Sequence, residues 1–184
     1  MKKLMPHLFV LLLVILSACA GASLSSADCA SAEISDNDVD DTLKFGRNLF
    51  PKADWARKYT VAEKFAYAEW SHRSLYAVVT VNTIVLCDAD NTQNLRAYFN
   101  AENIGFIFSN YDEYKAVTAC EANGVLLYQF TTSFEDREYN AWIWAKPLDA
   151  PHHAEWAMLV FPMDNPELMG RYGVELFPEL PRCE

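Results

Sequence analysis

ADWARKYTVAEKFAYAEW, residues 53–70, carries the longest run of helical spacing in the chain. Trp55, Tyr59, Ala62, Ala66 and Trp70 recur at intervals of three or four. That spacing predicts a helix starting near Pro51 or Ala53, about 28 Å long at about 1.5 Å per residue, with one aromatic stripe to bury. Upstream, Asp36, Asp38, Asp40 and Asp41 lead into Val39, Leu43 and Phe50, and Pro51 stops the series. This predicts a short helix with its acidic residues at the positive end of the dipole.

Downstream the period changes. Residues 75–87 are rich in Val, Ile, Thr and Tyr and predict the strongest strand of the chain. Asp90, Asn91 and Thr92 offer caps for a helix through Leu95, Ala97, Tyr98 and Phe99, and residues 105–109 predict a short strand. Four more strands are expected at residues 114–120, 124–134, 139–145 and 155–163, separated by polar or Pro-bearing turns. Strands joined so tightly must run antiparallel. Asn165-Pro166 then reads as the cap and first turn of a closing helix through Leu168, Met169, Tyr172 and Leu176. The expected fold class is α+β, with helices packed on one face of a curved, mostly antiparallel sheet of about five or six strands. Residues 36–184 are the size of one ordinary domain, with no repeat or low-complexity break inside them.

The N-terminus carries a different message. Lys2 and Lys3 are followed by an apolar run at residues 8–16 and then by the small residues Ser17, Ala18 and Ala20. That is the layout of an export signal. The run of about nine residues falls well short of the roughly 20 needed for a stable transmembrane helix. Leu16-Ser17-Ala18-Cys19 resembles the lipobox of bacterial lipoproteins, in which an aliphatic and two small residues precede the cysteine that takes the lipid. The resemblance covers the first 19 residues and implies a signal peptide at 1–18 and a mature chain beginning at acylated Cys19. It also implies attachment to the cell envelope, facing periplasm or exterior, through palmitate-type chains; durable attachment takes two or three of them, because each buried methylene contributes only about 0.8 kcal/mol. Ordinary secretion is the alternative, since Ala18-Cys19-Ala20 and Ala20-Gly21-Ala22 also offer small-x-small cleavage patterns. From Ala20 to about Ile34 the residues are mostly small, so residues 19–35 are expected to be a lipidated terminus and flexible tether spanning about 20 to 23 Å.

Export fits the remaining cysteines. Cys29, Cys87, Cys120 and Cys183 are an even set with spacings of 58, 33 and 63 residues and no Cys-x-x-Cys pair, so disulfides are favoured over a zinc ribbon or a thioredoxin-type centre. Three connectivities are possible; the expected one pairs Cys87 with Cys120 and Cys29 with Cys183. Without Lys2 and Lys3 the chain keeps 13 basic against 25 acidic side chains, a formal charge of −12. Nucleic acid and bare anionic membrane are therefore poor partners.

The run Asp36-Asn37-Asp38-Val39-Asp40-Asp41 alternates oxygens as a calcium loop does, but Asp41 and Arg47 stand where an EF-hand needs Gly and Glu. Helix capping accounts for it better. Adjacent His152 and His153 point to opposite sides of an extended segment and read as a solvated turn rather than a metal site. No metal or cofactor is expected. No nucleophile elbow, Ser-x-x-Lys set or phosphate loop is present, so catalytic residues are not identified.

Aromatic residues make up 14 % of the chain, an excess large enough to ask what the rings are for. If Ala141 and Ile143 pack inward, Trp142 and Trp144 with Tyr128 or Phe130 of the neighbouring strand would form an exposed platform for sugar rings, a hydrophobic ligand or a partner protein; otherwise the rings are core. The expectation is a non-enzymatic, lipid-anchored extracytoplasmic binding or interaction module. The alternative is an extracytoplasmic hydrolase using carboxylates in a sheet cavity.

Overall fold

The computed structural model describes residues 26–45, 50, 53–87 and 90–176. Helices α1 (Ser26–Ser31) and α2 (Asp36–Phe45) precede three strands, β1 (Trp55–Ala62), β2 (Phe65–His72) and β3 (Val78–Val85). Two seven-residue helices follow, α3 (Thr92–Tyr98) and α4 (Ala101–Ile107). The chain then runs through β4 (Glu113–Ala122), β5 (Val125–Phe134), β6 (Arg137–Pro147) and β7 (His153–Pro162), and α5 (Pro166–Leu176) closes it.

All seven strands belong to one antiparallel sheet in the order β1-β2-β3-β7-β6-β5-β4. This overturns the expected α+β arrangement of helices on a five- or six-stranded sheet. The described helices are few and none exceeds 11 residues. The long helix expected over residues 53–70 is a hairpin, β1 and β2, turning at Glu63-Lys64 with Ala62 opposite Phe65. The burial on β2 has period two: Ala66, Ala68 and Trp70 are buried while the residues between them are half exposed. Pairing with β3 sets that period, since Ala68 faces Val81 and Trp70 faces Val79. Propensity for helix in an Ala-rich segment yields to pairing with the β-branched strand beside it.

The expected strand at residues 105–109 is also overturned, because most of it lies in α4. The Asn100 side chain accepts from the backbone N–H of Glu102 and Asn103 and starts the helix, and Ile104 and Phe108 then bury one turn apart. The later meander follows the anticipated strands. Asn123 and Gly124 (φ +54° and +76°) and Glu135 and Asp136 (φ +50° and +62°) make two-residue turns of the kind whose twist matches the flanking strands.

Both faces of the sheet are covered. On one, α3 and α4 bring Leu95, Phe99, Ile104 and Phe108 onto Phe130, Ile143 and Met158. On the other, α2, Phe50 and α5 cover Trp55, Trp70, Trp144 and Leu159. Tyr172 of α5 stacks on Phe161 with centroids 5.7 Å apart, and the hydroxyls of Thr42 (α2) and Thr83 (β3) meet at 2.7 Å.

From Ser26 onward the segment expected to be a tether is fastened down. Cys29 is 3 % exposed and joined to Cys87 by a disulfide, which replaces the expected pairs Cys87 with Cys120 and Cys29 with Cys183. Cys120 is itself disulfide-bonded. Ile34 N–H donates to Glu63 O at 2.9 Å, and Lys64 Nζ donates to Ala30 O at 3.1 Å. Residues 1–25, with the signal peptide and Cys19, and Cys183 lie outside the described residues.

Candidate functional site

The sheet face on which α3 packs at β5 and β6 presents Leu126, Phe130, Ala141 and Ile143 there, and continues on β2 and β3 with the polar side chains of Tyr67, Glu69, Thr80 and Asn82. Side chains two apart on a strand share a face, and the register places neighbouring strands in rows. One row runs Tyr67, Asn82, Trp156; the next runs Lys58, Glu69, Thr80, Met158. Among the described residues these two rows hold three of the five buried side-chain atoms that have no hydrogen-bond partner; the other two are Tyr128 Oη and Asn165 Oδ1.

Glu69 anchors it. The Tyr67 hydroxyl donates to Glu69 Oε2 at 2.6 Å, the Ser71 hydroxyl donates to Oε1 at 2.8 Å, and Lys58 Nζ lies 3.8 Å from Oε1. Burial, and next the charge of Glu69, push the Tyr67 phenol far above its ordinary range. The same two causes raise Tyr111, which packs against this core from the chain after α4. Both phenols therefore stay protonated, and Tyr67 serves as a neutral hydrogen-bond donor to Glu69.

Thr80, Asn82 and Trp156 are 5 %, 6 % and 8 % exposed, and Thr80 Oγ1, Asn82 Nδ2 and Trp156 Nε1 have no hydrogen-bond partner among the described residues. An unpaired buried polar group costs roughly 1 to 3 kcal/mol, so three within two adjacent rows need an explanation. Phe99, the C-cap of α3, meets the Trp156 ring edge-on at 6.1 Å and covers that end of the patch. The roof is fastened at the β4 edge: Arg96 Nη2 donates to Glu121 Oε2 at 2.6 Å, and the Thr92 hydroxyl donates to Glu121 Oε1.

The aromatic platform is not assembled. Trp142 faces Gln129 and Trp144 faces Leu127 across β5 and β6, which puts both tryptophans on the sheet face opposite Tyr128 and Phe130. Trp144 is 3 % exposed in the α5 core, where Gly173 approaches it closely, and Phe130 is buried under α4. The alternation along β6 was legible, but which partner residues share each face follows from the strand register.

His152 and His153 are both buried rather than solvated. His152, with φ +63°, donates its backbone N–H to Asp90 Oδ1 at 2.9 Å and sets Nδ1 3.0 Å from Cys87 O. His153 Nδ1 lies 2.7 Å from Pro151 O, and its Nε2 lies 3.3 Å from Glu33 O. They staple the turn before β7 to the end of β3 and to the N-terminal segment. Of the acidic run, Asp38 caps α2: its carboxylate accepts from the Ser35 N–H at 2.8 Å and hydroxyl at 2.6 Å, and its own N–H donates back to Ser35 Oγ. Among the described residues no three His, Cys, Asp or Glu side chains are grouped to hold a metal ion.

The polar rows escaped sequence reading because Thr80 and Asn82 look like ordinary strand residues. The trace in the sequence is an asparagine in the middle of a strand otherwise made of β-branched residues. No protein-family model matches the chain, and no curated protein sequence is significantly similar to it.

Proposed function

We propose that this chain is a non-enzymatic binding module of the cell envelope, tethered through lipid on Cys19, with its ligand held between the polar rows of β2, β3 and β7 and the α3–α4 roof. The observation that carries the binding reading is the set of three buried groups at Thr80, Asn82 and Trp156 that have no partner among the described residues. Proteins keep such groups at a stability cost where something outside the fold pairs with them. The lipobox supports the anchor, and the Cys29–Cys87 disulfide accords with an oxidising compartment. A carboxylate hydrolase gains no support: Glu69 and Glu155, the two acids most closely built into the sheet, stand on opposite faces.

The anchor is tested by membrane partition and intact mass in a lipoprotein-processing host. Partition of Cys19→Ser equal to the parent's removes it. Binding is tested by following the indole N–H signal of Trp156, assigned with Trp156→Phe, as a protein-free low-molecular-mass extract of the host envelope is added. A saturable shift is expected, and an unmoved signal overturns the binding reading.

A further inference from the structure

We infer that the ligand of this site is a neutral saccharide or polyol, taken up by its ring or chain oxygens; this rests on the binding reading above. The argument is a balance of donors and acceptors. Trp156 Nε1 can only donate, Asn82 Nδ2 can only donate, and the Thr80 hydroxyl can donate, so the unpaired set calls for oxygen acceptors. An apolar ligand would leave all three unsatisfied.

Charge narrows the choice further. Glu69 lies directly across from Thr80, and opposite strand positions place Cβ atoms about 4.5–5.5 Å apart. An anion bringing its acceptors here would meet that carboxylate in a partly desolvated site. A cation gains little, because Tyr67, Ser71 and Lys58 already surround the carboxylate. What remains is an uncharged molecule with several oxygens close together and C–H surfaces between them. Thr80 and Asn82 stand two apart on β3 and Trp156 faces Asn82 from β7, so the three donors are spread over two strands and call for several oxygens of one molecule rather than the single carbonyl of a peptide unit. Met158 and Ile84 beside the polar rows, with Phe99 above, supply apolar contacts for the C–H faces.

Entry requires the roof to lift. The roof is two helices of seven residues each, too short to hold their shape without packing, latched at Glu121 on an edge strand.

The test uses the full chain with the Trp156 indole N–H as reporter, titrated with glucose, N-acetylglucosamine and trehalose, and in parallel with inorganic phosphate, decanoate and triglycine. At least one saccharide should shift the Trp156 signal saturably while the other four indole signals stay in place. Thr80→Val should weaken that response by about tenfold, the equivalent of one hydrogen bond, while raising the melting temperature of the ligand-free protein. That rise shows the variant to be folded. A response to phosphate, decanoate or triglycine instead, or to the envelope extract but to no saccharide, overturns the ligand class and leaves the binding reading standing. No response to any of them overturns both.

Discussion

Asn82 and Trp156 stand directly opposite each other across β3 and β7, each buried and each with a side-chain nitrogen that finds no acceptor among the described residues. A fold selected for stability alone would have paired or replaced them, as β3 does at Val79 and Val81.

The first prediction follows from Thr80 in the adjoining row. Its buried hydroxyl has no partner among the described residues, so Thr80→Val, which keeps the β-branched shape, should raise the unfolding free energy of the ligand-free protein by about 1 kcal/mol. Urea denaturation measures it, and a loss of stability would mean that the hydroxyl is satisfied after all.

The disulfide gives a second. Cys29 and Cys87 close a separation of 58 residues with Cα atoms 5.1 Å apart. The double substitution Cys29→Ser with Cys87→Ser should cost about 2 to 4 kcal/mol. It should also open residues 26–35 to protease, because Lys64 and the Ile34 N–H then hold that segment without covalent help. Unchanged stability together with unchanged resistance would refute this.

Two glutamates should respond to acid with opposite sign. The Thr92 hydroxyl, with Arg96 behind it, holds the Glu121 carboxyl below its ordinary range. Its contribution is complete above the ordinary carboxylate pKa of 4.5 and disappears as pH falls through the lowered value. Burial raises Glu155 against the opposing pull of Lys146, so its contribution is complete below 4.5 and is lost as pH rises through the raised value. Glu121→Gln should therefore flatten the acid side of a stability-against-pH curve. Glu155→Gln should gain on the parent as pH climbs from 4.5 towards neutrality. Curves parallel to the parent's in both variants would contradict the assignment.

Gly124 supplies a fourth. It sits at φ +76° in the β4–β5 turn with nothing within 4 Å of the place a Cβ would take. Gly124→Ala should cost about 1 kcal/mol through backbone strain alone, with no steric clash to confuse the result. Equilibrium denaturation reads it, and a neutral outcome would show that the turn relaxes to another form.

Much of the second half was legible in the chain itself. Residues of β4 to β7 carry strand formers broken by turn residues, and Asn165-Pro166 marks the start of α5, signals that act within a few neighbours. The hairpin of β1 and β2 was not legible, because pairs four apart, Trp55 with Tyr59 and Ala66 with Trp70, satisfy a helical spacing and a strand spacing equally. The aromatic platform failed for a related reason: alternation tells which residues of one strand share a face, and register tells which residues of the next strand join them.

Local sequence thus determined turns, caps and most strand segments, and the resemblance of residues 16–19 to a lipobox is what supports the proposed address. These depend on side chains acting on backbone only a few positions away. The tertiary structure alone decided that residues 55–72 are strands, that Cys29 bonds Cys87, and that Tyr67, Asn82 and Trp156 form one row. Each of those outcomes sets side chains from distant parts of the chain against one another, and whether a buried donor is paired depends on what the neighbouring strand brings to it.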